Sequence, residues 1–119
     1  MKTYSDRELL SLAAVGDGTY LYRWDIVYDE TSADGLQWSA EEVVVPAPLS
    51  ANGIIEAVIS ETWPSNREQK LVNEYNAAVL GISSGEEAER AKEAYASFLR
   101  ERAELKAQVE RDCEMLKIK

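Results

Sequence analysis

The last third of the chain sets Ala91, Tyr95, Phe98, Arg102, Leu105, Val109, Asp112 and Leu116 at alternating spacings of four and three residues. That spacing predicts one long amphipathic helix from Gly85 to about Ile118, with a coiled-coil-like seam interrupted by Arg102 and by Asp112, whose place Cys113 can take. At 1.5 Å per residue such a helix reaches ~50 Å, whereas a compact domain of this length is ~35 Å across. Part of it must overhang. An overhanging apolar stripe costs roughly 25 cal/mol per Å² exposed, so the seam should fold back on earlier helices or pair between chains. We expect self-association, or capture of a protein partner, through Tyr95, Phe98, Leu105, Val109 and Leu116.

Ahead of that helix the chain reads as α+β, and its 119 residues fit a single domain with one core. Three parts are expected: a helix and hairpin over 1–50, a broken helix pair over 51–82 and the long helix over 83–119. Four segments open with a serine able to cap a helix, and three of these carry a glutamate three residues later: Ser5 with Glu8, Ser65 with Glu68, and Ser84 with Glu87. The first predicts a short helix over Asp6 to Val15, ended by Gly16. Thr19 to Asp29 then alternates, with Tyr20, Tyr22, Trp24, Ile26 and Tyr28 on one face, and a second strand follows from Leu36 to Val45. Together they predict an antiparallel hairpin with Trp38 across from the aromatic face. Ala51 to Thr62 puts Ile54, Ile55, Val58 and Ile59 on one stripe, Trp63 and Pro64 break it, and Ser65 restarts a helix that runs to Gly81.

The net charge of -9 repels phosphate backbones and argues against nucleic-acid binding. Its acidity is concentrated in residues 1–50, with three basic and nine acidic side chains, while residues 86–119 carry eight and nine. No apolar run is long enough for a membrane span and the first residues lack a signal-peptide core, so a cytoplasmic protein with no membrane contact is expected. A lone Cys113 fits a reducing compartment.

Chemistry is hard to assemble from these residues. The chain has no histidine, which removes every imidazole-based triad and the histidine–glutamate zinc signature. Cys113 falls near a helix C-terminus, where the macrodipole disfavours a thiolate. Ser32, Asp34, Gly35 and Glu41 match four places of a calcium loop starting at Glu30, but Glu30 and Gln37 break the pattern and strands flank it. No catalytic residue, cofactor or metal is expected. The aromatic cluster Tyr20, Tyr22, Trp24 and Trp38 reads first as the buried face of a sheet and second as a binding platform, with Asp25 or Asp29 nearby.

Pro46, Pro48, Asn52, Ile54, Ile55, Ala57, Val58 and Ile59, followed by Glu68, give an aromatic hairpin leading through prolines into an apolar helix and then a glutamate-bearing one. In this layout the chain resembles small phage- and prophage-encoded proteins, some linked to tail or tail-fibre assembly, over the span from the hairpin to Tyr95. It departs from them at Trp63 and Pro64, where that group tends to show tyrosine followed by serine or threonine, and in its extended last helix. The resemblance implies an assembly or protein-binding role. We therefore expect a non-enzymatic interaction protein, with a small-ligand module or enzyme built on the aromatic hairpin face as the alternative.

Overall fold

A computed structural model describes residues 1–32 and 34–119; Ala33, in the loop of the expected hairpin, lies outside the described residues. The protein is α+β, with β1 (Lys2–Ser5), β2 (Leu12–Ala14), β3 (Thr19–Tyr28), β4 (Trp38–Pro46), α1 (Ala51–Thr62), α2 (Ser65–Val79) and α3 (Gly85–Met115). The strands form one antiparallel sheet in the order β1-β4-β3-β2. The expected hairpin is its centre.

The first helix is not formed. Ten residues are too few to offset helix nucleation on their own, and Leu12 to Ala14 among them, with Lys2 to Ser5 ahead of them, find backbone partners on a sheet that would otherwise have two open edges. Lys2 to Ser5 pairs with Trp38 to Glu41, and Leu12 to Ala14 pairs with Tyr20 to Tyr22. Ser5 does not cap: its hydroxyl accepts from the Arg7 backbone N–H at 3.0 Å, a two-residue turn. The segment between β1 and β2 therefore runs from one sheet edge to the other. Arg23 holds it, donating its backbone N–H to the Ser11 carbonyl at 2.8 Å and its guanidinium to the Leu10 carbonyl at 3.3 Å. Leu9 is buried in this strap.

Three helices form where expected, though two serine caps do not. Ser50 caps α1 by accepting from Gly53 N–H at 3.0 Å, while Pro64 stands at the cap position of α2 and Ser84 makes no side-chain cap bond. Trp63 ends α1 with φ -128°, ψ 89°, outside the helical region that a residue before proline avoids.

Two apolar clusters result. The main core joins Tyr22, Trp24 and Val45 of the sheet to Ile54 and Val58 of α1 and to Val109 and Cys113 of α3, with Leu105 packed against it. The second runs along α2 and α3. Trp63 meets Phe98 edge to face at 5.4 Å, Tyr75 meets Tyr95 at 4.6 Å, and Ala78 and Ala88 are buried further out.

Alternation along β3 does not persist to its end. Trp24 pairs with Glu41 but Val27 pairs with Ser39, so one extra residue is inserted, and Asp25 sits there at φ 51°. Such a bulge flips every later side chain to the opposite face. Tyr20, Tyr22 and Trp24 face the helices, whereas Tyr28 and its cross-strand partner Trp38, 5.0 Å apart, lie on the other side. The single aromatic face expected from the sequence is thus two.

Candidate functional site

The helix α3 is 31 residues long, or roughly 46 Å, close to the longest dimension of the molecule, 52 Å. Its C-terminal half is core. Leu105, Val109 and Cys113 pack against α1 and the sheet, so the second half of the expected seam is covered by its own chain. The N-terminal half overhangs, and α2 folds back along it as its main partner. The outcome is a two-helix arm, and it explains a radius of gyration of 17.8 Å where a compact chain of this length would have about 13–14 Å.

This geometry redistributes the residues expected to make contacts. Tyr22, Trp24, Phe98 and Val109 are buried and cannot meet a partner in this conformation. Tyr20 and Leu105 are half-buried against the main core, and Tyr95 is sandwiched between Tyr75 and Phe98 inside the arm. Trp38 lies on the sheet face turned from the helices. Leu116, at the end of α3, is 40% exposed.

What the arm exposes instead is its tip and one side. At the tip, Leu80 and Ile82 are 74% and 78% exposed, beside an exposed Val79. Gly81, at φ 77°, lets the chain reverse there. Along the side runs a groove in two connected cavities of about 500 Å³ and about 310 Å³, which share Glu74 and Ala94. Ala77, Ala91 and Ala94 form its floor near the tip, and Trp63, Leu71 and Phe98 its floor near the base. At the tip end the hydroxyl of Ser83 is buried and has no hydrogen-bond partner among the described residues. The sequence signal for this surface was present in the run Ala77 to Ile82, which stays apolar past the helix end.

A second cleft, about 420 Å³, lies beside Trp24 and Trp63 and is ringed by Asp25, Glu41, Glu61 and Glu101. The Met1 ammonium lines it and pairs with Glu61 at 2.8 Å and Glu41 at 3.8 Å. Trp24 is stacked on Tyr22 at 5.7 Å and retains 5% exposure, so its ring offers almost no open surface. Asp29 and Asp34 are occupied with loop bonds to Thr31, Ser32 and Leu36, which hold their carboxyls below the usual range. Among the described residues no acidic, cysteine or histidine cluster suited to a metal is present. Cys113 is buried, and burial followed by the nearby Asp112 pushes its thiol up.

Inside the core the Tyr22 hydroxyl donates to Asp112 at 2.5 Å, tying β3 to α3. Burial, then that bond, raises the phenol well above its ordinary value of 10.0. A raised folded value means the contribution is intact below pH 10 and lost above it, where the unfolded chain ionises and the folded one resists. Tyr22→Phe is expected to cost about 1.5–3 kcal/mol at neutral pH, since it strips a charged acceptor of its donor. Urea titrations of both proteins at neutral pH and at about pH 11 should show that gap shrinking as pH rises; a gap independent of pH would refute the assignment.

No protein-family model, curated protein or solved structure matches the chain. Among the described residues no helix is long and apolar enough to cross a membrane.

Proposed function

We propose that the chain is a non-enzymatic interaction or assembly protein of the cytoplasm that engages a protein partner, or itself, through the α2–α3 arm. The projecting arm carries this reading, with its groove and its apolar tip of Val79, Leu80 and Ile82. A long apolar tip held clear of the core is unfavourable in water unless something covers it. Supporting it are the absence of histidine from the chain and the burial of the only thiol. The small-ligand alternative has less to stand on, because Tyr22 and Trp24 are buried against each other and Trp38 lies on the opposite face of the sheet. An assembly role of the phage type remains the biological setting we favour.

Replacing Ile82 with a photo-crosslinking amino acid tests the proposal in the native host. Irradiation is expected to give one discrete adduct, and Ala94→Trp, which fills the groove floor, should abolish it. A crosslinker at Glu30, exposed in the hairpin loop, should give none. Equal labelling from both positions, or no adduct from Ile82, would count against the arm.

A further inference from the structure

The two rims of the arm's groove carry opposite charges, level with one another at the base and about one helical turn (~6 Å) apart toward the tip. Arg67 on α2 lines the base cavity together with Glu101 on α3, and Glu74 on α2 lines the tip cavity together with Arg90 on α3. Arg67 and Glu101 form no ion pair among the described residues, and Glu74 and Arg90 are engaged only along their own helices, by Lys70 at 3.9 Å and Glu86 at 3.8 Å. Between the rims the floor is alanine toward the tip, which lets another helix pair approach closely there, and Trp63, Leu71 and Phe98 toward the base.

We infer that the occupant of this groove is a second copy of the chain, packed side by side about a two-fold axis running along the arm, so that four helices form a bundle. The inference rests on the arm being the contact surface. A two-fold axis along the arm keeps both arms parallel and lays α2 of one copy over α3 of the other at the same height. Arg67 then faces Glu101 of the second copy, a pair counted twice by symmetry, and Arg90 of the second copy lies about one turn nearer the tip than Glu74, within the span of its long side chain. Parallel packing also brings the two apolar tips together. Antiparallel packing would instead stack α2 on α2 and α3 on α3, setting Glu74 against Glu74 and Glu87 against Glu101. Like charges disfavour it. The shared face is roughly 22 Å long and two helices wide, enough to bury on the order of 1,000 Å² in total, the lower bound for a specific interface.

Sedimentation velocity on the full chain across a concentration series tests this. A reversible dimer is expected. Arg67→Glu or Glu101→Arg alone should weaken it about tenfold or more, as reversing one charge turns two attractions into two repulsions, and the two together should restore it to within about threefold. Both positions are exposed, so circular dichroism should confirm that each variant folds. A monomer at every concentration, a dimer indifferent to the single reversals, or a double variant that fails to recover would each overturn the inference. Crosslinking of Ile82 to a different protein, with a monomeric mass, would sink the second copy yet leave the arm as the contact surface; loss of both would remove the arm itself.

Discussion

A chain ending at Arg102 is expected to lose its fold altogether. The removed segment holds Leu105, Val109 and Cys113, and with Ile118 these cover the helix-facing side of the sheet. At about 1.5–3 kcal/mol for each large apolar side chain returned to water, the loss approaches the whole stability of an ordinary domain of about 5–15 kcal/mol. Asp112 leaves too, so the Tyr22 hydroxyl loses its acceptor. Thermal unfolding followed by near-ultraviolet circular dichroism should therefore show no cooperative transition. A sigmoidal melt with native tryptophan signals would mean that α1 alone can cover the sheet. The result separates two readings of the long helix, since an arm reaching out from its C-terminal end would be dispensable to the hairpin.

Ile54→Ala provides the second large effect. Ile54 is fully buried where β3, β4, α1 and α3 converge, and truncating such a side chain leaves a cavity that close-packed neighbours fill only partly. A loss of about 2–5 kcal/mol is expected, read by urea denaturation as a lower midpoint with an unchanged slope. Leu80→Ala, at the tip exposed in the single chain, should change the stability of the dilute monomer by no more than about 0.5 kcal/mol. Equal losses from the two in the dilute monomer would show that the tip packs within its own chain, or that Ile54 is not the centre of the core.

Helices were easier to read than the sheet because their signals are local. The stripe of Ile54, Ile55, Val58 and Ile59, the Trp63–Pro64 break and the spacing along α3 each lie within a few turns, and α1 spans the Ala51–Thr62 segment that carries that stripe. β1 and β2 could not be read this way. β1 pairs with residues 33 to 39 positions away and β2 is only three residues long, paired 6 to 10 positions away, while a serine with a glutamate three residues on mimics a cap. The bulge at Asp25 was invisible for a related reason: nothing in a strictly alternating run marks where one residue will be left unpaired. As for the arm, the overhang followed from helix length alone. Which half would overhang did not, because that is decided by α1 and the sheet claiming Leu105, Val109 and Cys113.

The bulge also gives the protein a natural set of optical probes. Its three indoles fall in three different regions: Trp24 against Tyr22 in the main core, Trp63 against Phe98 at the root of the arm, and Trp38 against Tyr28 on the side of the sheet turned from every helix. Native emission is therefore a composite, and single-tryptophan variants would report separately on the core, on the arm and on the outer face of the same molecule.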